Sequence, residues 1–144
     1  MDYFDAKFWR KSDQSARLDA LLEVGLGGLR IAAQHGFSTA FLRYFAVVQD
    51  TGTACGLAYA EARPVTVADV AHSTVFTQPD TVTMMLNADV SAVISVPMCG
   101  PSGHLVGVLS AHYPRPNRIT ERDRRVLSLL SASAAHRLTD HHDG

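Results

Sequence analysis

Residues 92–113 read AVISVPMCGPSGHLVGVLSAHY. Two apolar, β-branched runs, AVISVPM and HLVGVLSAHY, flank a turn built from Cys99, Gly100, Pro101, Ser102 and Gly103, which is the pattern of a β-hairpin. Successive side chains of a strand point to opposite faces, so Val93, Ser95 and Pro97 share one face while Ile94, Val96 and Met98 share the other. Pro97 has no N–H to give to a ladder, which predicts that the first strand ends or bulges near it. Gly107 interrupts the second run and predicts a bulge or a close backbone approach. Gly103 closes the turn after Pro101-Ser102 and is expected at a positive φ.

Working outward, Thr120 and Asp123 form a Thr-x-x-Asp box at the head of a long final helix. Leu127, Leu130, Ala134 and Leu138 make the apolar stripe of that helix, and Val126, Leu129 and Ser133 leave a second, partly apolar face. Upstream of the hairpin, residues 71–91 are irregular, with one helix predicted around Thr81 to Ala88; connections of this length are functional or mobile. Pro64 opens a Val65 to Val67 strand that Asp69-Val70 ends, and Cys55 to Ala62 reads as a short Ala-rich helix that can lie close to a sheet. Ser38 caps a helix carrying Phe41, Leu42, Tyr44 and Phe45. Leu29 to Gln34 reads as a strand. The run from Arg17 to Val24 fits both periods: Leu18, Ala20, Leu22 and Val24 alternate, while Leu18, Leu21 and Leu22 fit a helical face. Ser15 as a cap and Gly25 as a stop favour the helix. Residues 2–13 are expected to form a short amphipathic helix with Tyr3, Phe4, Phe8 and Trp9 as its apolar members.

As an ordered set, the Cys55-Gly56 helix, the Pro64-Val65 strand ending in Asp69-Val70, the Val96-Pro97-Met98 hairpin with its polar-Gly turn and Gly107-Val108-Leu109, and the long closing helix resemble the GAF family of small sensory domains. Met98 stands where the family commonly has Leu. The resemblance covers roughly residues 29–139, and one domain is expected for the whole chain, 1–144. It implies an α+β, GAF-like and PAS-related fold: a central antiparallel sheet of about five to six strands, helices packed on it and a long C-terminal helix. The family places a helix and then a further strand before the strand that Leu29 to Gln34 resembles, and this chain is compressed there.

The resemblance also implies a non-catalytic signal-sensing or regulatory module, working as a homodimer through its helices and controlling a kinase or transcriptional output. That output lies on a separate partner, or the chain is a fragment or a free-standing domain; the alternatives stay open. Asn-Lys-Phe, the signature of cyclic-nucleotide binders, and Asp-Ile-Pro, that of phytochrome-type bilin binders, are both absent. Some members bind haem through one axial His, and His72, His104 and His112 are the histidines of the loop, turn and strand.

Composition narrows the classes further. A chain of 144 residues, 47% hydrophobic and 19% charged, has material for one core and no disordered signature. A formal net charge of −1 gives no reason to expect nucleic-acid binding. No run of about 18 apolar residues predicts a membrane span, and the N-terminus lacks the apolar stretch of a signal peptide, so the cytoplasm is the expected location. Two cysteines, Cys55 and Cys99, make no disulfide framework. No two histidines stand at i, i+4, and no metal site is expected.

Cys55 is the candidate redox residue, because a thiol at a helix N-terminus is stabilised as thiolate by the aligned amides. The alternative function is therefore a small Cys-dependent redox enzyme related to the free methionine sulfoxide reductases, a branch of the family similar around this position. Those enzymes use further cysteines in the loop before the hairpin, whereas residues 56–98 contain none. The bland alternative for Cys55 is a small packing residue. Cys99, in the turn, has no neighbouring Lys or Arg to hold a thiolate. For a ligand of unknown identity, the expected pocket lies between the sheet and residues 71–91. Phe76, Met84, Met85 and Leu86 would give an adaptable apolar wall, and Ser95, Ser110 and His112 the orienting polar groups. If the segment instead folds down, these residues fill the core themselves.

Overall fold

The computed structural model describes residues 17–25, 28–34, 37–48 and 51–143. The amphipathic helix expected over 2–13 and the cap expected at Ser15 lie outside the described residues. Among the described residues five strands, β1 (Arg17–Gly25), β2 (Gly28–Gln34), β3 (Val65–Val67), β4 (Ala92–Cys99) and β5 (Leu105–Tyr113), form one sheet in the order β2-β1-β5-β4-β3. Every neighbouring pair is antiparallel. The helices are α1 (Thr39–Tyr44), α2 (Ala54–Glu61), α3 (Pro79–Asn87) and α4 (Glu121–Asp143), with a short 3-10 turn at Val70–His72. No helix among the described residues is long and apolar enough to cross a membrane.

The helix expected over Arg17 to Val24 is corrected: this run is β1, the strand between β2 and β5. Its period-2 pattern prevails because backbone groups on both edges find partners, Leu22 opposite Ile31 in β2 and opposite Val108 in β5. The strand that the compressed sequence lacked is thus the run assigned to a helix. Gly25 does act as a stop, but of a strand, and pairs with Gly28 at the turn into β2.

The hairpin follows its alternation. Ala92, Ile94, Val96, Met98, Leu109, Ala111 and Tyr113 face α4, where Leu127, Ala134 and Ala135 are buried against them. Val93 and Val108 face the other way, into a core with Leu29, Phe41, Phe45, Val48, Ala58, Val65, Val67, Phe76 and Met85. β4 does not stop at Pro97. It runs to Cys99, and the irregularity falls between Met98 and Cys99, opposite Gly107 and Leu105. At Pro97 the strand is paired with β5 alone, because β3 reaches only from Val93 to Ser95. A residue without an N–H is tolerated where one side of the strand has no partner.

The local capping signals hold. Ser38 Oγ accepts from the Phe41 N–H at 3.2 Å. Thr120 and Asp123 satisfy each other's backbone N–H groups at 3.1 and 3.0 Å. Helix α2 begins one residue earlier than expected, with Thr53 Oγ1 accepting from Gly56 N–H at 3.1 Å. Helix α3 also begins earlier, because Pro79 suits the first helical position, where its missing N–H costs nothing.

Candidate functional site

Residues 71–91 fold down onto the sheet while leaving a cavity beneath. Val70 N–H donates to the Ser91 carbonyl at 2.8 Å, closing the ends of the segment together, and Val70, Phe76, Met85 and Val90 are buried. Helix α3 is tied to α1 by Tyr44 Oη and Thr81 Oγ1, 2.8 Å apart. Between these elements and the sheet lies a space of about 420 Å³, counted to its open mouth. Its enclosed part is small, with room for a few waters or, with side-chain movement, one small ligand.

Among the described residues its walls come from seven places in the chain. β2 gives Ile31; α1 and the residue that caps its end give Phe41 and Phe45; Val48 follows; the start of α2 gives Thr53, Ala54 and Cys55; Phe76 and Met85 descend from the 71–91 segment; β4 and β5 supply Val93, Ser95, Ser110 and His112. Phe37 stacks on Phe41 with ring centroids 4.0 Å apart and meets His112 edge-on at 5.2 Å, so aromatic groups continue past the cavity rim. The polar groups are concentrated on two sides. Ser95 and Ser110, directly opposite in register, bring their hydroxyl oxygens to 2.7 Å. Thr53 Oγ1 lies 3.4 Å from Cys55 Sγ at the head of α2.

Of the seven expected ligand-binding residues, Phe76, Met85, Ser95, Ser110 and His112 line this cavity, and Met84 and Leu86 do not. Consecutive helical residues are rotated by about 100°, so only one of the three can face inward. Met85 does, Met84 packs at the margin of the core, and Leu86 is 41% exposed. The candidate redox residue, Cys55, lines the same cavity and is half-buried, a placement that no local pattern foretells. Ile31, Phe41, Phe45, Val48, Thr53, Ala54 and Val93 were not anticipated as lining residues. Phe41 on α1 and Phe45 at its C-terminal cap, spaced i and i+4, carried a signal for one shared face; the others carried none.

Among the described residues there is no group of three or more His, Cys, Asp or Glu that could hold a metal. His72 is exposed and bonded to Asp69 through Nδ1, and His104 pairs with Ser102 in the hairpin turn. Cys99 is exposed there as well.

The family model of the GAF domain matches residues 9–138. The chain belongs to the GAF family. The match reaches further toward the N-terminus than the resemblance over 29–139 and takes in β1. No curated protein matches the sequence. Among solved structures, this GAF domain is similar to a domain described as part of a two-component sensor histidine kinase from Sinorhizobium meliloti 1021. That likeness has a TM-score of 0.72 at 18% identity and covers 92% of this chain and 83% of the other. It is similar to a protein described as a GAF sensor from Burkholderia vietnamiensis, with a TM-score of 0.69, 19% identity and coverage of 92% and 75%. It is also similar to the type II free methionine-R-sulfoxide reductase of Thermoplasma acidophilum, with a TM-score of 0.67, 18% identity and coverage of 90% and 83%. At these identities the likeness is one of fold, shared by sensors and enzymes.

Proposed function

We propose that this GAF domain is a non-catalytic regulatory module that binds a small molecule in the cavity beneath residues 71–91 and passes occupancy on to a partner. The observation that carries the reading is the convergence of Phe76, Met85, Ser95, Ser110 and His112 on one mostly apolar cavity. A buried, apolar space with a few fixed polar groups is the usual form of a small-molecule site.

Two features favour this reading over the Cys-dependent redox enzyme. Among the described residues no carboxylate, Lys or Arg lines the cavity, whereas a free amino acid carries both charges and burying them unpaired is costly. Of the two cysteines, only Cys55 lines the cavity; Cys99 sits in the exposed turn, and thiol–disulfide turnover requires a second thiol to resolve the first. In this reading the chain works as a homodimer through the outer face of α4, where Leu129 is 73% exposed, and its output is a separate kinase or transcriptional partner.

Hydrogen exchange and one variant test the reading. In the free protein the amides of residues 71–91 exchange faster than those of β4 and β5, because lids are drawn from the least stable parts of a structure. Native mass spectrometry of protein purified from its own host shows bound mass, and Met85→Trp, which fills the cavity, loses that mass with an unchanged melting temperature. Uniformly slow exchange together with a destabilisation of about 1 to 3 kcal/mol in Met85→Trp would instead describe a closed core that has been overpacked. Rapid labelling of Cys55, with an apparent pKa well below the free thiol's value of about 8.5, would favour the enzyme.

A further inference from the structure

The Ser95–Ser110 pair has more donors than partners. Each hydroxyl carries one hydrogen, and in a mutual bond one hydroxyl donates while the other accepts. The two oxygens are 2.7 Å apart, the residues are 0% and 2% exposed, and no other protein group meets either hydroxyl among the described residues. One hydroxyl hydrogen is therefore left unspent in a buried place. Both residues line the cavity, so that hydrogen can rotate toward it. A buried donor without an acceptor is costly, and the cavity is where an acceptor can enter.

The remaining walls restrict what carries that acceptor. Phe41, Phe45 and Phe76 give aromatic surface, with the first two rings 4.7 Å apart and tilted by 50°, and Met85 gives an adaptable contact. Among the described residues no carboxylate, Lys or Arg lines the space to compensate an ionised ligand. We propose that the cavity takes a small, uncharged, planar ring bearing one hydrogen-bond acceptor, a carbonyl oxygen or a ring nitrogen, which receives the unspent hydrogen of the Ser95–Ser110 pair. This rests on the reading of the cavity as a ligand site and adds the chemical class of the ligand.

Three probes of nearly equal shape decide it: acetophenone, α-methylstyrene, in which a methylene replaces the carbonyl oxygen, and benzoate, its charged counterpart. Binding is followed by amide chemical shifts of residues around the cavity in the wild-type chain and in the Ser95→Ala/Ser110→Ala double variant. Replacing both members of a buried polar pair by apolar groups is close to neutral for stability, so the variant should fold. The wild type is expected to bind acetophenone about tenfold more tightly than α-methylstyrene and not to bind benzoate. In the double variant the preference falls to near unity. Equal binding of acetophenone and α-methylstyrene by the wild type overturns the acceptor assignment and leaves the cavity reading standing. Preferred binding of benzoate overturns the uncharged class. If no probe binds, dissolved xenon separates the remaining cases. Shifts confined to the cavity amides overturn the ring ligand alone, and no shifts overturn the cavity reading with it.

Discussion

Tyr113 is the residue on which the two sides of the hairpin and the last helix meet. It is buried, and its hydroxyl donates to Asp123 Oδ2 at 2.9 Å, the carboxylate oxygen that also accepts from Thr120 N–H. Burial, then the hydrogen bond and charge of Asp123, push its ionisation well above the ordinary value of 10.0. The folded state therefore holds this proton more tightly than the unfolded state does, so the stabilisation is complete below about pH 10 and is lost as the pH rises beyond it. Urea unfolding followed from about pH 8 to 11 should show wild-type stability falling on the alkaline side, with a shallower fall in Tyr113→Phe. At neutral pH the same variant should be less stable by about 1 to 2 kcal/mol, since the Asp123 carboxylate loses a donor. Gly103 gives a second test at this scale. Its φ is +87°, and a Cβ built there would meet nothing within 4 Å, so the obstacle to a side chain is the backbone conformation and not space. Gly103→Val should lower stability by about 1 to 3 kcal/mol in a thermal melt; an unchanged melting temperature would mean that the turn relaxes.

Helix α4 shows how local signals and distant contacts combine in one element. Its first turn is fixed by the Thr120–Asp123 box, while Arg124 reaches Thr66 Oγ1 of β3 at 3.4 Å and the Asn117 N–H donates to the Ala68 carbonyl at 2.8 Å. Thr120→Ala leaves the Asp123 N–H without its cap and should cost about 0.5 to 2 kcal/mol in denaturant unfolding. The stripe read from the sequence faces the sheet: Leu127 and Ala134 are buried and Leu130 is partly so, while the side chain of Leu138 lies outside the described residues. Val126 is half-buried, and Leu129 and Ser133 are exposed on the opposite side, so a helix committed to one sheet retains a second face. Helix α3 teaches the converse. Three adjacent apolar residues, Met84, Met85 and Leu86, read as one wall, but helical rotation sends them in three directions and leaves Met85 alone in the cavity.

For the whole molecule, the proposed homodimer follows from that second face. Val126→Glu with Leu129→Glu should give a folded monomer by light scattering at a concentration where the wild type is a dimer; a wild type that stays monomeric when concentrated would remove the proposal. How much of this was legible in advance follows the range of the interactions involved. The hairpin's two faces, the positive φ of Gly103, the Ser38 cap, the Thr120–Asp123 box and the Pro64 boundary all arise between residues a few positions apart, and periodicity and turn chemistry report such interactions directly. The identity of β1 did not follow, because its two periods were evenly matched and the choice was made by ladders to β2 and, across some ninety residues, to β5. The cavity was only partly legible. Alternation placed Ser95 on one face of β4, but only strand register set it opposite Ser110, and only the fold brought both beneath Phe41, Met85 and Cys55. Sequence alone determined the hairpin, the helix caps and the family, since these depend on patterns within one stretch and their order. The tertiary structure alone decided which side chains share the buried space, because each reaches it from a separate element and no local energy links them.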